Sequence, residues 1–194
     1  MDSAELSGIL EFLKRTERLK DTTRTAHTSQ GRQESVAEHT WRLCLMASLL
    51  HEHRPEIDLA KLLRMCLIHD LGEAVNGDIP APEQAAGSAK AQHERADLLH
   101  LTGSLPSRLR EEIVTLWDEY EAGATPEAAM VKGLDKLETI LQHVQGRNPE
   151  SFDYRFNLSY GQQYTAHDEV IVALRRTLDG ETANRAAAAE TGDT

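Results

Sequence analysis

The adjacent pair His69–Asp70 closes an apolar segment of the sequence at residues 61–68. A second histidine, His39, lies upstream, and another carboxylate, Asp135, lies far downstream in a further apolar segment. Imidazole nitrogen and carboxylate oxygen are ligands that suit Mn, Fe, Co, Ni and Zn, and carboxylate oxygen also suits Mg. Two of each, drawn from three helical segments, predict a site for one divalent ion with positions open for water and a substrate oxygen. This set indicates a metal-dependent phosphohydrolase.

The elements that must position these residues are helices, because apolar residues recur at helical spacing through nearly the whole sequence. The most regular stripe follows Thr125–Pro126, where a proline at the first helical position favours a helix start. Asp135 belongs to this helix, whose apolar stripe consists of Met130, Leu134, Leu137, Leu141 and Val144. Further helices are predicted over about 4–19, 36–53, 58–72, 89–101, 107–121 and 167–178.

The helix that carries His39 has a clear start. Ser35 and Glu38 have the spacing of a capping box, in which each side chain bonds the other residue's backbone amide. Behind that start, the sequence predicts a buried face composed of Trp41, Leu45, Met46 and Leu49. The Thr-, Ser- and Gly-rich stretch 21–31 is predicted to be a loop, and residues 76–82 an irregular turn because of their Asn-Gly step and two prolines.

The fold class predicted from this pattern is all-α, in a single domain over residues 1–180. A chain of 194 residues is long enough to bury a core without disulfides. Cys44 and Cys66 lie in apolar helical patterns and form no metal-knuckle spacing, so buried free thiols are expected. The final residues 181–194 are Ala-rich without an apolar stripe and are predicted to be disordered.

Charge and hydropathy restrict the partners. The formal net charge of −11 excludes a polynucleotide partner, because binding many phosphates requires a basic surface. The apolar runs are shorter than the roughly 20 residues that a membrane span needs, so no membrane partner is expected. The acidic N-terminus lacks the basic-then-apolar order of a signal peptide, and a cytoplasmic location is predicted.

The ordered set His39, His69–Asp70 and Asp135 on a helical chain resembles the HD-domain phosphohydrolase superfamily. Neighbouring motifs resemble the HD-domain 5′-deoxynucleotidases in particular, over about residues 6–178. These motifs are Leu19-Lys20-Asp21-Thr22-Thr23-Arg24, Glu34-Ser35-Val36-Ala37-Glu38-His39, His69-Asp70-Leu71-Gly72-Glu73 and Asn76-Gly77-Asp78-Ile79-Pro80. The resemblance implies an HD-type helical bundle with an interior metal site, a nucleoside monophosphate substrate and a homodimer.

The resemblance also implies residue roles. His39, His69, Asp70 and Asp135 would hold one divalent ion. Arg24 would bind the substrate phosphate, since a planar guanidinium matches phosphate oxygens. Glu73 would orient or deprotonate the attacking water and Asp78 would assist the leaving 5′-oxygen, and these two roles can be exchanged. Thr25 stands where the bacterial deoxynucleotidases carry an aromatic residue that helps select the sugar.

Three alternatives remain open from the sequence. The first is hydrolysis of another small phosphoester, such as a cyclic nucleotide. The second is an HD-fold oxygenase with two irons, which would need additional histidine ligands. HD phosphodiesterases with two metals also use additional histidines, between the His-Asp pair and the distal Asp. His93 and His100 lie in that interval, but no acidic pattern accompanies them, and one metal is favoured. The third is an HD-fold protein that binds nucleotides without turning them over.

Overall fold

The computed structural model describes residues 1–78 and 88–191. Its helices and strands, in chain order, are α1 Ser3–Thr16, β1 Thr23–His27, β2 Gln33–Ser35, α2 Val36–Leu50, α3 Leu59–Ile68, α4 Glu73–Asn76, α5 Ser88–Leu101, α6 Ser107–Ala122, α7 Pro126–Gln145, α8 Phe156–Ser159, α9 Gln162–Thr165 and α10 Glu169–Thr191. Short 3₁₀ turns follow α1, α2 and α5. The all-α class is confirmed, with one small β-hairpin added.

Helix α7 forms the centre of the bundle. The Thr125 hydroxyl caps its first turn by accepting from the Ala128 amide, and Pro126 occupies the position predicted for it. Nearly every side chain from Ala128 to Val144 is buried, since α2, α3, α6 and α10 pack around the helix. Asp135 therefore lies in the interior of the molecule, where an unpaired carboxylate would be costly.

Helix α2 begins with the predicted capping box, in which Ser35 and Glu38 bond each other's backbone amides. The predicted buried face is wrong for three of its four members, because Trp41, Leu45 and Leu49 are exposed by 66%, 44% and 64%. The buried face is instead formed by Val36, His39, Leu43 and Ala47. Contact with α3 and α7 selects this face, and it directs His39 inward.

Helix α3 ends at Ile68, earlier than the predicted end at residue 72. The indole Nε1 of Trp117 donates to the His69 carbonyl at 3.1 Å, so this carbonyl has a side-chain hydrogen-bond donor in place of a backbone amide of the helix. A tight turn then leads to α4, and Gly72 lies so close to α5 that a Cβ there would be 2.9 Å from the Glu94 carbonyl oxygen. The turn presents His69 and Asp70 to one side.

The predicted loop at 21–31 contains strand β1, which pairs antiparallel with β2. Tertiary contacts hold this hairpin, since the side-chain amide of Gln142 on α7 donates to the His27 carbonyl at 2.5 Å. The Arg147 amide also donates to the Thr28 carbonyl at 3.0 Å. Arg24 therefore projects from an anchored strand.

The C-terminal prediction also needs correction. Residues 181–191 continue helix α10 rather than forming a disordered tail. Thr182 is fully buried, and Arg185 donates to the Val144 carbonyl at 2.8 Å, which docks this part of the helix on the end of α7. The predicted turn at 76–82 is described only to Asp78, and residues 79–82 and 192–194 lie outside the described part. Within residues 1–78 and 88–191, no helix has the length and apolarity to cross a bilayer.

Candidate metal centre

The four predicted metal ligands, His39, His69, Asp70 and Asp135, come together in the structure. The His69 Nε2 atom lies 3.0 Å from Asp70 Oδ2 and 4.0 Å from Asp135 Oδ1. The His39 Nε2 atom lies 3.3 Å from Asp135 Oδ1 and 3.8 Å from Asp70 Oδ2. Ligand atoms held about 2.1 Å from one ion in an octahedron are spaced by roughly 3 to 4 Å. The cluster therefore has the dimensions of a mononuclear site.

The two histidines are oriented as metal ligands are. His69 Nδ1 donates to the Cys66 carbonyl at 2.7 Å, and His39 Nδ1 donates to the Glu138 carboxylate. These bonds leave Nε2 of each ring unprotonated in the neutral tautomer and aimed at the cluster. Both Nε2 atoms are buried without a hydrogen-bond partner in the described structure. A divalent cation would satisfy both, so the donor set fits a metal ion.

The electrostatics of the cluster also favour a cation. Burial and the charge of Arg24 lower the pKa of His39, but the carboxylates of Glu138 and Asp135 outweigh them and raise it to about 10. Burial opposes ionisation of Asp70 as well, yet His69 and His39 hold its pKa below the usual value. The carboxylates thus attract a proton onto the imidazole, and binding of a divalent ion would release that proton.

Arg24 faces the cluster from strand β1. Its Nη2 donates to Thr139 Oγ1 at 3.0 Å, its Nη1 lies 3.6 Å from Asp70 Oδ2, and its Nε lies 3.7 Å from Glu34 Oε2. The side chain is largely buried, with 12% of its surface exposed. Although burial disfavours the charge, the carboxylates around it raise the pKa of Arg24, so the guanidinium stays protonated. A fixed positive charge thus lies beside the cluster.

Glu73 and Asp78 line the same cavity, which has a volume of about 530 Å³. Glu73 opens α4, one turn after the His69–Asp70 pair, and its buried Oε2 has no hydrogen-bond partner in the described structure. Burial and the nearby carboxylates of Asp70 and Asp78 raise the pKa of Glu73 to about 10. Burial raises the pKa of Asp78 as well. Five of the seven predicted site residues, Arg24, Asp70, Glu73, Asp78 and Asp135, therefore line one cavity. The other two, His39 and His69, lie 3.3 Å from Asp135 and 3.0 Å from Asp70, respectively.

A family model described as an HD domain matches residues 16–175 of the chain. The chain belongs to the HD-domain family. Among curated relatives, human "5'-deoxynucleotidase HDDC2" is 33% identical over 97% of this chain and 96% of its own length. The protein of the same name from Danio rerio is 31% identical over 94% of this chain and 92% of its own. A solved structure titled a predicted metal-dependent phosphohydrolase, from Magnetospirillum magnetotacticum, superposes with a TM-score of 0.80 at 28% identity, covering 94% of both chains.

The HD-domain cluster is supported from behind by a carboxylate that the sequence prediction missed. Glu138, fully buried one turn after Asp135 on α7, accepts from His39 through Oε2. Its Oε1 accepts from the Nε of Arg42 at 2.6 Å. The signal in the sequence is the i, i+3 spacing of Asp135 and Glu138, which places both on one helix face.

Glu138 also belongs to a second group of described residues that could hold a metal ion. This group consists of Glu34, His39 and Glu138, whose potential ligand atoms lie close together. The negative charge of this group is already neutralised by two arginines. Arg42 lies near both Glu34 and Glu138, and Arg24 lies near Glu34. The group engages His39 through Nδ1, away from the cluster. We therefore interpret it as an ion-pair network that orients His39.

Replacement of Glu138 by glutamine is expected to weaken metal binding about 10- to 100-fold, because the partner that fixes the tautomer of His39 loses its charge. The dissociation constant for Mn²⁺ or Co²⁺ measured by titration of the metal-free protein tests this prediction. Activity should return when the metal concentration is raised, which a general folding defect would not allow. Glu112→Gln, a change in an exposed pair with Arg64, is the control. An unaltered metal affinity in Glu138→Gln would contradict the assigned role.

Lys136 is a second cavity residue that the sequence prediction did not single out. Its Nζ bonds Asp135 Oδ2 at 2.8 Å, while Asp135 Oδ1 faces His39. Gly161 makes room for it, since a Cβ there would lie 2.6 Å from the Lys136 Cγ. The ammonium group therefore fixes the orientation of the Asp135 carboxylate and adds a positive charge to the cavity wall.

The histidines considered as extra ligands do not reach the cluster. His93 and His100 are both exposed on α5. Within residues 1–78 and 88–191, every group with metal-ligand geometry contains His39, and neither of these histidines belongs to one. Neither histidine therefore supplies an additional ligand in the described part of the chain.

Proposed function

We propose that this HD-domain protein is a metal-dependent phosphohydrolase, a 5′-nucleotidase that releases phosphate from deoxynucleoside or nucleoside 5′-monophosphates. The observation that carries the proposal is that Arg24, Glu73 and Asp78 line one cavity with Asp70 and Asp135, the two carboxylates of the cluster. The cavity of about 530 Å³ lies within the range of small-molecule sites. Curated relatives named 5'-deoxynucleotidases support the same activity.

The proposed cofactor is one divalent ion held by His39, His69, Asp70 and Asp135. Mn, Co, Fe, Ni, Zn and Mg all accept imidazole or carboxylate ligands, and cellular availability decides among them. When bound, such an ion polarises a phosphoryl oxygen and lowers the pKa of water, which is the chemistry that hydrolysis of a phosphate ester requires.

The remaining residues of the cavity bind the substrate and move protons. Arg24 binds the phosphate and offsets the charge that develops on its oxygens. The positive charge of a divalent ion in the cluster would lower the raised pKa of Glu73, so that its carboxylate can act as the base. Glu73 then takes a proton from the attacking water, whose oxygen forms a bond to phosphorus as the bond from phosphorus to the 5′-oxygen breaks. Asp78 gives a proton to the departing 5′-oxygen, so a nucleoside and inorganic phosphate are released. The exchange of Glu73 and Asp78 between these two roles is the alternative to this assignment.

Phosphate release from a panel of substrates tests the proposal. The panel contains ribo- and deoxynucleoside 5′-monophosphates, 3′-monophosphates and a phosphodiester, each with chelated protein and with Mn²⁺, Co²⁺ or Mg²⁺ restored. We expect metal-dependent release from the 5′-monophosphates alone. The ratio of ribo to deoxy substrates reports the effect of Thr25, which lines the cavity. Activity on the diester would favour a different phosphoester, and tight nucleotide binding without turnover would favour a nucleotide sensor.

The pH dependence of kcat/KM separates the roles of Glu73 and Asp78. A base acts only when ionised and an acid only when protonated, so the base produces the acidic limb of the profile and the acid the alkaline limb. Glu73→Gln is expected to lower kcat by roughly 10²–10⁴ and to abolish the acidic limb. Asp78→Asn should abolish the alkaline limb. If Glu73→Gln instead abolishes the alkaline limb and Asp78→Asn the acidic limb, the two residues have the opposite roles. If both limbs persist in both variants, neither residue transfers a proton.

We also propose that the protein acts as a homodimer in the cytoplasm. Apolar side chains that face solvent on α1 and α2, among them Leu10, Leu13, Trp41 and Leu49, support an association between copies. Light scattering of the purified protein measures its mass in solution directly.

A further inference from the structure

The cavity extends from the metal cluster to a wall of aromatic rings supplied by the segment between α7 and α9. Phe152, Phe156 and Tyr160 line it together with Arg24 and Asp70. No step of the proposed phosphate chemistry uses these rings. They line the same cavity as Glu73 and Asp78, and their role there is therefore a separate question.

The rings are arranged in two packed groups. Phe156 and Tyr160 lie with centroids 5.1 Å apart and planes tilted by 31°. Phe152 packs edge-on against His143 at 4.7 Å. Burial lowers the pKa of His143, and its Nδ1 donates to the Asn157 side chain, so the ring is neutral. The wall therefore offers a flat, uncharged surface in a cavity that charged side chains also line.

The backbone of this wall is held in place from behind. Arg175 on α10 is buried, and its Nη2 donates to the Asn157 and Leu158 carbonyls at 2.8 and 2.9 Å. Its Nη1 donates to the Tyr160 carbonyl at 2.7 Å. An irregular segment that is tied at three carbonyls loses little further conformational freedom when a ligand binds, which favours affinity.

The wall also lies close to the cluster. Lys136 Nζ is 5.4 Å from the centroid of the Tyr160 ring and 2.8 Å from Asp135 Oδ2, so one side chain spans the gap between them. In a nucleoside 5′-monophosphate the sugar separates a charged phosphate from a flat base. The cavity offers both kinds of partner, since its lining contains the cations Arg24 and Lys136 as well as the aromatic rings.

We infer that Phe152 and Phe156 form the binding surface for the base of the nucleotide, which stacks on them while its phosphate lies at Arg24 and the cluster. This inference rests on the proposed nucleotidase function and adds residues that determine substrate choice. Stacking of a base on an aromatic side chain contributes enough to change affinity severalfold or more. The rings would thus distinguish a nucleotide from a sugar phosphate that has no base.

Steady-state kinetics with two substrates test the inference. Phe152→Leu, Phe156→Leu and the double variant are compared with wild type on a deoxynucleoside 5′-monophosphate and on 2-deoxyribose 5-phosphate. We expect kcat/KM for the nucleotide to fall at least about fivefold in each single variant, while the value for the sugar phosphate changes less than twofold. Phe12→Leu is the matched control, because Phe12 lies in an apolar groove formed with α3 and α6.

Product inhibition gives a second readout. The inhibition constant of the deoxynucleoside should rise in the variants, and that of inorganic phosphate should not. Equal losses on both substrates, or an unchanged nucleotide kcat/KM, would overturn the inference while leaving the nucleotidase function intact. Failure of the wild-type protein to hydrolyse either substrate would overturn the proposed function, and this inference with it.

Discussion

Asp70→Ala is expected to remove metal binding and phosphatase activity together. Asp70 Oδ2 lies 3.0 Å from His69 Nε2 and 3.8 Å from His39 Nε2, so its loss removes one of the two carboxylates in the cluster. The variant loses the charge that would offset a divalent cation and, with it, the chemistry that the ion supplies. We expect phosphate release to fall by at least about 10³-fold. Metal content after dialysis and phosphate release measured on the same preparation test both parts.

Asp118→Ala is the matched control, because Asp118 forms an exposed ion pair with Arg95 on the surface between α6 and α5. Exposed pairs contribute about 0–1 kcal/mol to stability, so this variant should keep its metal and its activity. The thermal midpoint of Asp70→Ala without metal should stay near that of the metal-free wild type, since the change removes both the attraction of Asp70 to His69 and His39 and its repulsion with Asp135. Stoichiometric metal and normal turnover in Asp70→Ala would refute the assigned ligand role.

Arg24→Gln is expected to lower kcat/KM by roughly 10²–10³ while the protein keeps its metal. The guanidinium is held by Thr139 and faces Asp70 and the cavity, where it would meet a phosphate rather than the ion. Loss of a positive charge beside the cluster cannot weaken the attraction of a cation, so metal affinity should be unchanged or higher. A fall in kcat/KM without a loss of metal affinity identifies a phosphate-binding residue.

The measurement for Arg24 pairs metal titration with inhibition by inorganic phosphate. The inhibition constant of phosphate should rise in Arg24→Gln and recover in part in Arg24→Lys, which restores the charge without the planar fork. Arg32→Gln serves as the control, since Arg32 lies in the same hairpin region but is exposed and pairs with Glu38. A variant that binds phosphate as wild type does would exclude Arg24 from the phosphate site.

Local patterns in the sequence were sufficient for the fold class and for most helix positions. Helical periodicity, the Ser35–Glu38 capping box and the Thr125–Pro126 helix start depend on residues a few positions apart, and the structure contains all three. The order of His39, His69–Asp70 and Asp135, with the motifs around it, was enough to identify the family. The particular roles of these residues remain predictions that the variants above test.

Local patterns did not determine which side of a helix the tertiary structure buries. Trp41 and Leu49 have the spacing of a buried face, yet contact with α3 and α7 selects the opposite face of α2, the face of His39 and Leu43. Similarly, the strand at Thr23–His27 and the helix beyond residue 181 both depend on hydrogen bonds to α7 or to the turn after it. Such contacts join residues far apart in sequence, and no local spacing encodes them.

The sequence by itself determined a helical HD-domain chain and a set of metal-ligating residue types in a fixed order. Only the tertiary structure brought His39 and Asp135 within 3.3 Å and placed Glu138 behind His39 and Lys136 beside Asp135. It also placed aromatic rings on the same cavity as Arg24. The physical reason is that ligand geometry depends on how helices pack, and packing is decided by the burial of whole helix faces against one another rather than by any one helix alone.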